Sequence, residues 1–258
     1  MREVVILLPV FNEAARLGQL LDGLHTALAG QPHRIVAVDD GSRDATPDIL
    51  RQRGATLPLV SLTHPVNAGL AETLYDGLRW VVERGADEDV VVTMDADDTH
   101  DPSYIAPLLA RIDEGYDVVG TSRFQPRGGS AGVPRHRQVL GRAGSLLMQR
   151  AMPIPGVLEF SCCYRAMRVG ALRRAVELFG ADLIALRQWG FVCTAELLWK
   201  LHLAGARCSE IPFVLRYDRK ESESRMRPLR TLAGYGVLAW HGRVAAPRRL
   251  SAQRVRPG

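Results

Sequence analysis

The chain has 258 residues, 47% hydrophobic and 24% charged. That length can bury a full core, and the composition excludes disorder, collagen or coiled coil as a global description. The net charge of +5 is uneven: from Arg216 onward eleven Lys or Arg stand against three acids, leaving residues 1–215 slightly acidic.

A basic tail of this kind suits an anionic partner: phosphate, a membrane surface or nucleic acid. The opening MREVVILLPVFNE turns acidic too soon for a signal peptide. No run of 18 uncharged apolar residues predicts a membrane span. The four cysteines, Cys162, Cys163, Cys193 and Cys208, contain no CxxC pair and read as reduced, small apolar residues. The expected compartment is the cytoplasm, with peripheral attachment to the inner face of the membrane through the tail.

In chain order, VVILLPV (4–10) predicts a strand buried on both faces. A helix follows over 13–29, with Leu17, Leu20, Leu21, Leu24 and Leu28 at helical spacing. RIVAVDD (34–40) is the second strand, and Ser42 and Asp44 are expected to cap a helix reaching Arg53. LPLVSL (57–62), a helix over 69–83, DVVVTMD (89–95), a helix over 103–114 and DVVGTSRF (117–124) continue the alternation. This predicts an α/β fold with an open, mostly parallel sheet flanked by helices. The second half is less regular. Residues 125–138 read as a mobile basic loop, helices are expected over 139–152, 168–179 and 192–204, and EIPFVLRY (210–217) as a late strand.

In such sheets, ligands bind beyond the carboxyl ends of the strands. There the sequence places Phe11, Asn12 and Glu13 after the first strand, Asp39 and Asp40 after the second, and Asp95, Ala96, Asp97 and Asp98 after the fourth. Clustered carboxylates repel unless a cation sits among them. Their oxygens suit Mg²⁺ or Mn²⁺ bridging a diphosphate. Neither a G-x-G-x-x-G turn nor a Walker A loop is present to hold phosphate instead.

The motifs LPVFNE, VDDGSRDAT, NAGLAETLYDG, MDADDTHDP and GTSRF stand in the order and spacing of family-2 glycosyltransferases, and the chain resembles that family and its GT-A fold. The later stretch from Gly190 to Met226 looks like the dolichyl- or polyprenyl-phosphate mannose synthases and their glucosyl relatives. The resemblance implies a catalytic domain over 1–228 and a short basic tail over 229–258, helical and membrane-associated. It implies that Pro9, Phe11, Glu13, Asp40, Asp95 and Ala96 line the nucleotide site. Asp95 and Asp97 would hold the metal, with Asp97 the direct ligand. Arg123 would face the sugar phosphate. Arg219, Ser224 and Arg225 would meet acceptor phosphate, matching a family segment of the form R-x-x-G-x-S-K.

Several positions depart from the family pattern. Thr99 stands where a further metal ligand is common, Glu159 replaces an Asp, Cys163 a Gly, Ser222 a Gly and Arg225 a Lys. These changes fall on the acceptor side. The implied reaction is an inverting, metal-dependent transfer of a hexose to a lipid phosphate, from GDP-mannose first and UDP-glucose second. A soluble hydroxyl acceptor would instead need a base, for which Glu159 is the candidate. A non-catalytic sugar-nucleotide-binding subunit is disfavoured by the intact Asp95-Ala96-Asp97. Nucleic-acid binding is not expected, because the tail lacks interleaved aromatics. Asp98 is expected in a solvated loop, Asp101 as a cap before Pro102, Glu196 in a structural pair with an arginine, and His64, His100 and His202 as structural residues.

Overall fold

A computed structural model describes residues 2–221 and 228–254, with the backbone alone at 228 and over 243–254. The strands are β1 (Val4–Val10), β2 (His33–Asp39), β3 (Leu59–Thr63), β4 (Val90–Thr93), β5 (Val118–Ser122), β6 (Gly129–Ala131), β7 (Arg165–Arg168), β8 (Cys208–Pro212) and β9 (Val214–Arg216). The helices are α1 (Ala14–Ala27), α2 (Thr46–Gly54), α3 (Leu70–Arg84), α4 (Ile105–Asp113), α5 (Arg135–Ala151), α6 (Val169–Phe179), α7 (Val192–Leu203) and α8 (Pro228–Arg254). Seven strands form one sheet of order β3-β2-β1-β4-β7-β5-β8. All its pairings are parallel except those of β7, which runs antiparallel to β4 and β5.

Side chains alternate across a strand. Val5 and Leu7 of β1 therefore enter one core, and Val4, Ile6 and Leu8 the other. Because helices cover both faces, the strand is apolar throughout rather than alternating. α3 lays Leu74, Leu78 and Val81 on the first face. α1 lays Leu17, Leu20, Leu21 and Leu24 on the second, beside Leu108 and Ile112 of α4. Each such buried leucine contributes ~1.5–3 kcal/mol. Gly77 lets α3 approach β1 closely, since a Cβ there would lie 2.4 Å from Leu7 Cδ1.

The first five strands stand where the hydrophobic pattern puts them. The second half differs in three ways. Residues 129–131, inside the expected loop, form β6 and pair in parallel with β9. The expected single strand 210–217 is broken at Phe213. That ring is buried in an edge-on aromatic cluster with Tyr104, Tyr164 and His100, and Pro212 beside it has no N–H for a ladder. The third difference is β7, whose pattern in RAMR resembles neither strand period. Its Arg165 is nevertheless 3% exposed, with its guanidinium donating to the carbonyls of Thr194 at 2.6 Å and Phe160 at 2.8 Å.

The tail begins in α8, which packs on α5 and α7. Tyr235 and Leu238 join the main core. Among the described residues, no helix is long and apolar enough to cross a membrane.

Candidate active site

β2, β1 and β4 are neighbours in the sheet, so their carboxyl ends lie side by side. The chain leaves β1 toward β2 on one side, and β4 flanks it on the other. This is the switch point of an open α/β sheet. Residues of VDDGSRDAT brace the turn after β1. Ser42 Oγ accepts the Asn12 N–H at 2.8 Å, Thr46 Oγ1 that of Glu13 at 3.0 Å, and Asp44 that of Ala14 at 3.2 Å. Asn12 Oδ1 accepts the Arg43 N–H in return at 2.8 Å. Ser42, expected as a helix cap, is thus a brace between two loops. Asp44 braces and also accepts the Thr46 N–H at the start of α2.

Asp40 organises the next loop. Its Oδ1 accepts the Ala68 N–H at 2.7 Å and its Oδ2 the Gly69 N–H at 2.9 Å, while His64 Nδ1 lies 2.9 Å from Oδ1. The carboxylate fixes the entry to α3 in the manner of a cap, through amides 28 and 29 residues away in sequence. Gly41 (φ +72°) allows this approach, as a Cβ would lie 2.8 Å from the Val66 carbonyl carbon.

These turns open onto a cavity of about 710 Å³. Pro9, Phe11, Glu13 and Asp40 line it, as do Asp95, Ala96, Asp97 and Arg123. Asp97 is 7% exposed. Its Oδ1 accepts from Thr99 Oγ1 at 2.7 Å and Thr99 N at 3.2 Å. Its Oδ2 forms an ion pair with Lys220. Burial pushes the Asp97 carboxyl up, but the Lys220 ammonium and the Thr99 hydrogen bonds outweigh it and hold it below the ordinary carboxylate value.

Asp95, His100 and Cys163 bring their ligand atoms within 4.8 Å of one another. Mutual hydrogen bonds account for the cluster. The Asp95 backbone N–H points at His100 Nδ1 at 3.0 Å, and His100 Nε2 lies 3.6 Å from Asp95 Oδ2. The Cys163 thiol donates to Asp95 Oδ1 at 2.9 Å, and burial with the nearby Asp95 charge pushes its pKa well up. All three side chains are thus engaged with one another inside the cluster. The hard carboxylate oxygens of Asp95 and Asp97 do fit Mg²⁺ or Mn²⁺. The Lys220 ammonium already stands as a cation on Asp97.

Glu159 does not line the cavity. Its carboxylate is sealed from solvent and ion-paired with Arg123; it also accepts the Arg123 backbone N–H at 2.8 Å and Ser161 Oγ at 2.7 Å. Burial pushes the Glu159 carboxyl up, yet Arg123 and these donors bring it below the ordinary value. Arg219 is turned to Asp101 at 3.5 Å and does not line the cavity; its neighbour Lys220 does. Ser224 and Arg225 lie outside the described residues.

The cavity lining holds further cations that the motifs do not name: Arg137, Arg187, Lys220 and Arg230. Arg187 pairs with Glu72 and stacks over Tyr75 at 4.3 Å. Arg137 donates to Tyr217 Oη at 3.0 Å, and Arg230 to the Gln188 carbonyl at 2.6 Å. Arg137 lies in the expected basic loop and Lys220 and Arg230 in the basic stretch after Arg216, while Arg187 has no signal beyond the chain's excess of arginine.

The structural residues fall largely as expected. Asp101 caps the turn at Pro102 by accepting the Ser103 N–H. Asp98 is a correction: it is 6% exposed rather than solvated, in a left-handed conformation at φ 60°. Glu196 pairs with Lys200 rather than with an arginine, and accepts the N–H groups of Ala185 and Leu186. The four cysteines are buried and free.

The family model for glycosyl transferase family 2 matches residues 5–175. An undecaprenyl-phosphate mannosyltransferase of Micrococcus luteus is 31% identical, over 86% of this chain and 87% of its own. A polyprenol monophosphomannose synthase of Mycolicibacterium smegmatis is 29% identical, over 87% and 81%. The solved structure of glucosyl-3-phosphoglycerate synthase from Mycobacterium tuberculosis with Mg²⁺ and UDP matches with a TM-score of 0.60 at 18% identity, over 95% of this chain and 79% of that one. At that identity the likeness concerns the fold, which is of the GT-A type.

Proposed function

Because this chain belongs to glycosyl transferase family 2 and is a glycosyltransferase, we propose that it moves a hexose from a nucleoside diphosphate sugar onto a polyprenyl phosphate. Mannose from GDP-mannose is the first choice of donor and UDP-glucose the second. The observation that carries this reading is the divided charge of one cavity. Glu13, Asp40, Asp95 and Asp97 come from the strand ends, while Arg137, Arg187 and Arg230 come from the later half of the chain. The carboxylates suit a metal-bound diphosphate, and the arginines an anionic acceptor.

In this reading Pro9 and Phe11 wall the nucleotide, and Asp40 holds the amides at 68 and 69 that shape its slot. Asp95 and Asp97 hold Mg²⁺ or Mn²⁺, which when bound offsets the charge growing on the departing diphosphate. Arg123, oriented by Glu159, faces the sugar phosphate. An oxygen of the acceptor phosphate bonds to the anomeric carbon from the face opposite the leaving diphosphate. The bond from that carbon to the diphosphate oxygen breaks, and the configuration inverts. The acceptor is already ionised at neutral pH, so no base is required. This agrees with the geometry: Asp40, Asp95, Asp97 and Glu159 are each held by other partners.

The relatives' lipid acceptors also motivate a membrane-surface role. α5 contains four arginines and no acid. Arg135, Val139, Arg142, Leu146 and Arg150 recur at helical spacing on its exposed side. Trp240 of α8, the helix packed beside it, is 71% exposed. A basic face with apolar side chains suits the surface of an anionic bilayer, and the first turns of both helices line the cavity.

A screen with the purified protein tests the reading. It crosses GDP- and UDP-sugars with undecaprenyl phosphate or small hydroxyl acceptors, with Mg²⁺ or Mn²⁺, and identifies products by mass spectrometry. The expected product is a hexosyl polyprenyl phosphate. Transfer to hydroxyl acceptors alone would overturn the reading.

A further inference from the structure

Both oxygens of Asp97 have partners within the protein. Oδ1 is held by Thr99, and Oδ2, the oxygen directed to a cation, is taken by Lys220. The ion pair is shielded, with the Lys220 side chain 14% exposed and that of Asp97 9%. The ammonium also feels the carboxylates of Asp95 and Glu13. Lys220 therefore stands among the carboxylates that would otherwise hold a divalent ion.

The residue type sharpens this. Of 33 basic residues in the chain only two are lysine, Lys200 and Lys220. Lys200 is committed to Glu196 in α7. Lys220 stands on Asp97, where the two kinds of cation would behave differently. A guanidinium grips a carboxylate through two parallel hydrogen bonds, whereas an ammonium is a compact point charge on a flexible stem. The second resembles a metal ion in size and charge distribution, and is easier to displace. Lys220 also follows a short turn, Tyr217–Arg219, after β9. Its backbone N–H donates to the Tyr217 carbonyl at 3.2 Å.

We infer that Lys220 is a displaceable placeholder cation, which occupies Asp97 in the empty enzyme and yields it to the divalent ion that arrives with the nucleoside diphosphate. The inference rests on the proposal that Asp97 receives a divalent ion. Lys220 neutralises a buried carboxylate cluster that would otherwise be costly. It also competes with free metal, so that metal binds weakly alone and tightly with the diphosphate. The displaced ammonium then remains beside the arriving phosphates, which strengthens that coupling.

The test is Mn²⁺ binding followed by electron paramagnetic resonance, with and without GDP or UDP. Lys220→Met keeps the stem and removes the charge, Lys220→Gln is a second uncharged variant should the first fold poorly, and Lys220→Arg keeps the charge. The uncharged variants should bind Mn²⁺ alone about fivefold or more tightly than the parent, and nucleotide should tighten it less; couplings of this kind span roughly 5–150-fold. Lys220→Arg should bind Mn²⁺ alone no more tightly than the parent. Uncharged variants within about twofold of the parent, or weaker, would overturn the placeholder role and leave the metal site standing. Absence of Mn²⁺ binding in every protein, even with nucleotide, would remove the metal site and the placeholder together.

Discussion

The carboxylate of Glu159, shielded from solvent, is wrapped by Arg123, which offers it both its guanidinium and its backbone N–H. A carboxylate held below its ordinary pKa by a neighbouring cation is a weak base, and Glu159 has no face on the cavity. In the proposed reaction its place is to aim Arg123.

Glu159→Gln should therefore act first on stability. Removing one charge of a buried pair costs about 3–5 kcal/mol, or roughly 10 °C in melting temperature for a chain of this size. Transfer to polyprenyl phosphate should slow but persist. A dead variant with parental stability would instead identify Glu159 as a base. The stability difference should also follow pH with a definite sign. Because the folded pKa of Glu159 lies below its unfolded value, the pair stabilises the protein above that unfolded value of about 4.3 and loses its effect as pH falls through the folded pKa. Melting curves of the two proteins should stay apart at pH 6–8 and converge in acid.

Much of this site is legible in the sequence. Asp40, Asp95 and Asp97 directly follow β-branched runs whose assignment as buried strands is unambiguous. The roles of Ser42 and Asp44 are less so, because a polar residue before a helix looks like a cap whether it caps or braces a loop packed beside it. Lys220 and Arg187 carry no signal of their own. Each reaches the cavity through a short irregular turn, and turns of that kind have no hydrophobic period to fix which side chain points inward. β6 escapes notice for a related reason: its pairing with β9 is made by backbone groups, and GSA offers no alternation.

Asp97 gives a second prediction. Asp97→Asn keeps the shape and the Thr99 contacts but removes the charge. Transfer should fall on the order of a thousandfold, the several kcal/mol that a metal ion contributes at a departing diphosphate. Excess EDTA should do the same to the parent protein. Circular dichroism should show the fold intact. Full activity in chelator would sink the assignment of Asp95 and Asp97.

Asp40 gives a third. Its carboxylate accepts N–H groups from both Ala68 and Gly69. Asp40→Ala leaves those donors without a partner, at about 1–3 kcal/mol. Calorimetry should show weaker binding of the nucleoside diphosphate, with turnover at saturating donor changed less. Gly41→Ala should mimic this loss, because an alanine must adopt φ +72° and press on the Val66 backbone. Unaltered nucleotide affinity in both variants would confine this loop to a structural role.

The last prediction concerns the surface carried by α5. Arg142 and Arg150 are exposed, flank Leu146 and lie outside the cavity lining. Near an anionic bilayer each such charge is worth about 1 kcal/mol, and more salt shortens its reach. Replacing both by glutamate reverses two charges without touching the core. Binding to vesicles of phosphatidylglycerol and phosphatidylcholine, read by flotation, should drop at least about tenfold. Binding of the parent should weaken as salt rises. Transfer from the same donor to a short, water-soluble prenyl phosphate should remain near the parental rate, since the cavity is unchanged. Transfer to undecaprenyl phosphate in vesicles should fall with the binding. Parental vesicle binding by the double variant would mean that α5 does not face the bilayer. The lipid phosphate would then have to reach Arg137 and Arg230 by another approach.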